Sequence, residues 1–156
     1  MTNLRPLMLP EIGAFDHVGV AVTNLDQAVE FYIRVFGAEA EPQEFVDPLQ
    51  EVSIRFVRLA GMRIELLQPT GAGSHLQGIL KRGIGLYHVC HQVRELDREL
   101  ERLRVDGVRI ISEPKPAVAF NGRRVAFTMY QGFMLELLEA DAADVAGKRS
   151  EAGNES

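Results

Sequence analysis

Three things are scarce in this chain, and each absence excludes something. Its 156 residues include a single cysteine, Cys90, so no intrachain disulfide can form. Basic residues are not in excess. Lys and Arg number 17 against 22 Asp and Glu, a formal net charge of -5, which argues against a nucleic-acid partner. Long apolar runs are missing too. No segment approaches the roughly 20 residues that span a bilayer, and residues 1–13 hold no run of the signal-peptide type. The expectation is a cytoplasmic protein, with no membrane and no nucleic acid involved. Hydrophobic residues at 46% and charged residues at 25% are ordinary for a globular chain with one medium-sized core.

Within that ordinary composition lies a repeat. The run from Phe15 through Asp16, His17, Val18, Gly19, Val20 and Ala21 to Val22 resembles the run from Leu86 through Tyr87, His88, Val89, Cys90, His91 and Gln92 to Val93, at an offset of 71. Gly61 to Leu67 matches Gly132 to Leu138 at the same offset of 71, as does Phe56 with Phe127. Each copy reads as β-α-β-β-β. The first has a strand over 14–22, a helix over 25–36 ended by Gly37, and strands near 39–45, 52–59 and 62–68. The second has a strand over 86–93, a helix over 96–105 ended by Gly107, and strands near 108–112, 123–130 and 133–139. We therefore expect modules at 14–70 and 86–140, a connector at 71–85 with a short helix over 76–81, and flexible tails at 1–13 and 141–156.

Strand alternation assigns faces. Val18, Val20 and Val22 should lie under the first helix, with His17, Gly19 and Ala21 on the other face. Val89, His91 and Val93 should lie under the second helix, with His88, Cys90 and Gln92 opposite. His91 is thus expected in the core, and Cys90 as a wall residue. His75 is expected in a surface loop. His recurs in each first strand and Glu in each last strand, as His17, His88, Glu65 and Glu136. A pseudo-twofold pairing of the copies would gather two imidazoles and two carboxylates, a set that suits Zn, Ni, Co, Mn or Fe without choosing among them. Lys81-Arg82 and Arg123-Arg124 are solvated charges that could also meet an anionic substrate group.

These residues resemble the vicinal oxygen chelate superfamily, which includes glyoxalase I, extradiol dioxygenases, fosfomycin-resistance enzymes and methylmalonyl-CoA epimerases. The resemblance rests on four motifs: Asp16 to Val22, Ile64 to Leu67, Leu86 to Val89 and Met134 to Leu137. It implies an α+β fold of two tandem βαβββ modules with a mixed sheet. It also implies one divalent metal held by His17, Glu65, His88 and Glu136, and a homodimer. Glu65 to Pro69, Ser74, Ile79 to Gly83 and Gly85 to His88 are most similar to the methylmalonyl-CoA epimerase family. Two features depart from that family. Thr128 to Gly132 stands where its members carry a His-Pro-Lys and Gly-Gly tract, and Ile54 stands where some carry a second catalytic Glu.

The resemblance implies proton abstraction next to the carbonyl of an acyl-CoA-type thioester. Glu136 is the favoured base, and Glu65, Glu51 or a water returns the proton. The alternatives are a glyoxalase-I-like lyase acting on a hemithioacetal, which the same four ligands would serve, and a non-catalytic protein that binds a small molecule such as an antibiotic.

Overall fold

The computed structural model describes residues 10–143. Its elements run β1 (Ile12–Ala21), α1 (Leu25–Phe36), β2 (Glu39–Asp47), β3 (Val52–Leu59), β4 (Met62–Pro69), α2 (Leu76–Lys81), β5 (Leu86–Val93), α3 (Leu96–Val105), β6 (Arg109–Pro116), β7 (Arg124–Tyr130) and β8 (Phe133–Glu139), with a 3-10 turn at Val118–Phe120 before β7. Each half is βαβββ. All eight strands join one mixed sheet in the order β2-β3-β4-β1-β5-β8-β7-β6. No helix among the described residues is long and apolar enough to cross a membrane.

The first helix starts where Asn24 accepts the Gln27 N–H at 2.9 Å, and it stops at Gly37, whose φ of 68° suits a residue without a Cβ. Its inner face, Leu25 and Val29, packs on Ile64, Leu66 and the valines of β1. The second half repeats this with Leu96, Leu100 and Leu103 of α3 against Val93, Ala126 and Leu137. A third cluster fills the opposite, concave side of the sheet. It includes Phe56, Leu67, Cys90, Phe120, Val125 and Leu138.

The seam between the halves is β1 against β5, antiparallel and within the chain. Val18 pairs with Val89, its own equivalent in the repeat, so the pseudo-twofold axis passes between them. The parallel pairs β1–β4 and β5–β8 then bring each Glu-bearing strand beside a His-bearing one. Strand alternation fails at two points on this seam. Phe15 and His17 pair with the adjacent residues His91 and Cys90, so Asp16 is an extra residue. Gly19 and Val20 pair with His88 and Leu86, so Tyr87 is extra on the other strand. These are β-bulges at equivalent places, and a bulge redirects the side chains beside it.

Several expectations change. β2 and β6 extend past 45 and 112, to Asp47 and Pro116, and β6 passes through Pro114 because it is an edge strand where a missing N–H costs no ladder bond. β1 begins at Ile12, so the expected N-terminal tail is shorter than 1–13; the remainder of both tails falls largely outside the described residues. His91 is not a core residue. Its Nδ1 lies 3.0 Å from the Gly13 carbonyl, and its ring meets the exposed Phe15 edge-on.

Candidate metal centre

Four side chains converge on the concave face. His17 stands on β1, Glu65 on β4, His88 on β5 and Glu136 on β8, and all are buried. Their ligating atoms lie within 4.8 Å of one another. His17 Nε2 is 3.2 Å from Glu65 Oε2 and 3.1 Å from Glu136 Oε2. His88 Nε2 is 3.4 Å from Glu65 Oε2 and 3.0 Å from Glu136 Oε2, and the two Nε2 atoms are 3.1 Å apart. Donor atoms bound at about 2.1 Å to a common centre sit about 3.0 Å apart in an octahedron and about 3.4 Å in a tetrahedron. The observed spacings span that range. Glu136 Oε2 is buried and makes no hydrogen bond, although two imidazole nitrogens lie near it. The atoms aim at a common point rather than at each other, and the residues fit a divalent cation.

The electrostatics agree. Burial alone would push both carboxyls up. The imidazoles outweigh it, holding Glu65 below its ordinary range and Glu136 down at about 2. Burial should likewise favour neutral imidazoles, yet Glu65 beside His17 and Glu136 beside His88 drive both histidines the other way.

Residues behind the cluster hold it. The bulged Asp16 accepts from His17 Nδ1 at 2.8 Å, which presents Nε2 to the cluster. Gln92 donates to the other Asp16 oxygen at 2.9 Å, and Arg63 NH1 lies 3.6 Å from Asp16. Arg63 in turn grips Glu41 through two bonds of 2.8 Å and covers the Phe56 ring at 3.7 Å. His88 lacks such a brace: its Nδ1 is buried without a partner. It is set by packing instead. A Cβ on Gly19 would lie 2.0 Å from the His88 ring, so only glycine admits the imidazole there. Phe120 stacks on His17 at 5.4 Å, and burial pushes the neighbouring Cys90 thiol up, which leaves it a protonated wall group.

The sequence profile of the Glyoxalase/Bleomycin resistance protein/Dioxygenase superfamily matches residues 16–127. The chain belongs to this superfamily. Among curated members, it is 33% identical over 132 residues to the ethylmalonyl-CoA/methylmalonyl-CoA epimerase of Cereibacter sphaeroides, covering 81% of this chain and 97% of that one. The crystal structure of methylmalonyl-CoA epimerase from Mycobacterium tuberculosis matches with a TM-score of 0.74 at 28% identity, covering 90% of this chain and 97% of that chain. A Streptomyces coelicolor methylmalonyl-CoA epimerase variant in complex with 2-nitronate-propionyl-CoA matches with a TM-score of 0.72 at 27% identity, covering 84% and 99%.

In this superfamily member the cluster adjoins a cleft between the two halves, lined by Glu65 and Glu136 among others. Three polar residues of the cleft, Asp47, Gln50 and Tyr87, escaped the sequence reading. Asp47 is buried at the end of β2, where its carboxylate accepts from the backbone of Leu49 and Gln50 and from the Gln50 amide. Tyr87 is the bulged residue of β5, and regular alternation would have sent it to the helix side. The matching offset of Asp16 and Tyr87 was the signal available for it. Glu51 is not brought to the cleft: its carboxylate lies against Gly71 and Gly73 of the connector. Arg124 is engaged by Asp97 and Glu139, and His75 is an exposed residue at the start of α2.

Proposed function

We propose that the protein is a divalent-metal-dependent epimerase that removes and returns the proton next to the carbonyl of an acyl-CoA-type thioester, as in methylmalonyl-CoA. The observation that carries this reading is the convergence of His17, Glu65, His88 and Glu136 on one buried point, with Glu65 and Glu136 also lining the adjoining cleft. Relatives named methylmalonyl-CoA epimerase over most of the chain support it.

A C–H beside a thioester is far less acidic than any carboxyl, so an unaided carboxylate is too weak a base. His17, Glu65, His88 and Glu136 would hold a divalent cation, which would stabilise the negative charge that develops on the substrate oxygen. The chain's own groups supply the rest. Glu136 takes the proton from C2 with its carboxylate. The carbon becomes planar, and a proton added to its opposite face inverts the centre. Glu65, on the other half of the same cleft, is the group we assign to that return, because Glu51 is turned away. The proposal leaves the metal open among Zn, Ni, Co, Mn and Fe.

The test is to supply metal-loaded protein with one C2 epimer of methylmalonyl-CoA and follow the mixture by chiral analysis. Approach to an equal mixture from either epimer supports the reading. Metal-loaded protein that leaves both epimers unchanged overturns it.

A further inference from the structure

The cleft asks a question that the ligand set does not answer. Negative charge developing on a substrate oxygen is best met by hydrogen-bond donors as well as by a cation. Yet the cleft is rich in acceptors. Of the side chains that line it, Asp47, Glu65 and Glu136 are carboxylates, Gln50 and Tyr87 can donate, and the rest are apolar. The Gln50 amide N–H is already given to Asp47 at 3.1 Å. No hydrogen bond occupies the Tyr87 hydroxyl among the described residues.

The backbone explains how Tyr87 comes to be there. It precedes a ligand histidine, and in a regular strand the two side chains would point to opposite faces. The bulge against Val20 puts Tyr87 on the same side as His88, with their rings edge-to-face at 4.5 Å. A bulge costs ladder pairing, and bulges concentrate where a side chain must be re-aimed. The equivalent bulge in the first half spends its residue, Asp16, on bracing His17. The second bulge braces nothing: His88 Nδ1 has no partner. A phenol O–H is a hydrogen-bond donor at neutral pH.

We infer that the Tyr87 hydroxyl donates a hydrogen bond to the substrate oxygen that gains negative charge during proton abstraction. This rests on the epimerase reading. Tyr87 is thus a substrate-contacting residue outside the four-residue cluster.

The experiment compares wild type with Tyr87→Phe, which keeps the ring against His88 and removes only the donor. Metal-loaded protein is assayed for metal content, for kcat and KM of epimerisation, and for Kd with two thioesters. One thioester is malonyl-CoA, and the other is 2-nitronate-propionyl-CoA, whose anionic oxygens imitate the charged intermediate. A bond to a charged oxygen corresponds to a factor of about ten to a hundred. The inference predicts a kcat loss and a weakening of nitronate binding of about that size, with KM, malonyl-CoA affinity and metal content little changed. Unchanged nitronate affinity overturns it. So does a loss of activity that follows a loss of metal, since Tyr87 would then only pack against His88. If wild type loads metal but interconverts neither epimer, the epimerase reading fails separately, and the nitronate comparison still decides the Tyr87 contact.

Discussion

Asp16 and Tyr87 occupy equivalent bulged positions of the two halves and are used in opposite ways. The Asp16 carboxylate accepts from His17 Nδ1 at 2.8 Å, whereas Tyr87 turns into the cleft and leaves His88 Nδ1 without a partner. The two imidazoles are therefore related by the repeat but are held by different physics, one by a hydrogen-bonded carboxylate and one by close packing.

The first consequence concerns Asp16. Removing a carboxylate that orients a metal-ligating histidine costs about 10- to 100-fold in metal affinity. Asp16→Ala is expected to lose that much, and Asp16→Asn less, since its amide oxygen still accepts from Nδ1–H. Calorimetric titration with Zn or Co checks both. Equal affinities for wild type and Asp16→Ala would show that His17 needs no brace.

Packing predicts a different failure at Gly19. In Gly19→Ala the new methyl would lie 2.0 Å from the His88 ring, so the imidazole must leave its place. Overpacking of this kind costs about 1–3 kcal/mol. The variant should fold with a lowered Tm and bind substoichiometric metal. Full metal content with an unchanged Tm contradicts the packing account.

Acid should weaken the metal-free fold through Asp16. Burial raises its carboxyl, but bonds from His17 and Gln92 outweigh this and hold it at about 2, below its ordinary 3.8. The folded-state value is depressed, so the stabilisation is present above the unfolded value and is lost as pH falls from about 4 towards 2. Partial exposure to solvent reduces the effect to about 1–2 kcal/mol. Denaturant unfolding across that range should show a shallower pH slope in Asp16→Asn than in wild type.

Metal binding should release protons. Glu65 and Glu136 favour the charged forms of His17 and His88, and a bound cation requires neutral imidazoles. Affinity should therefore fall on acidification. Calorimetry in buffers of different ionisation enthalpy should show net proton release at neutral pH. No buffer dependence would mean that the histidines are already neutral.

Much of this was legible in the residues. The offset of 71 picks out His17 with His88 and Glu65 with Glu136, because a pseudo-twofold pairing of the copies brings equivalent residues near its axis together. The limits of β3, β5 and β8 followed from apolar alternation closed by turns. What escaped were the places where the pleat is irregular. Alternation assumes one residue against one, so it could not foresee that Asp16 and Tyr87 would share a side with the histidines that follow them. It likewise placed His91 in the core, although the first bulge sets its ring beside Phe15. Asp47 was invisible because its burial depends on how the turn after β2 folds back onto its own carboxylate.

The most direct test of the whole account follows C2 exchange in D2O. Methylmalonyl-CoA is incubated with metal-loaded protein, with chelator-treated protein, and with His88→Ala. The account predicts deuterium at C2 with the loaded protein, loss of exchange on chelation with recovery on readdition of metal, and exchange slowed by a factor of about 10² or more in His88→Ala. Stoichiometrically metal-loaded protein that incorporates no deuterium at C2 would contradict it.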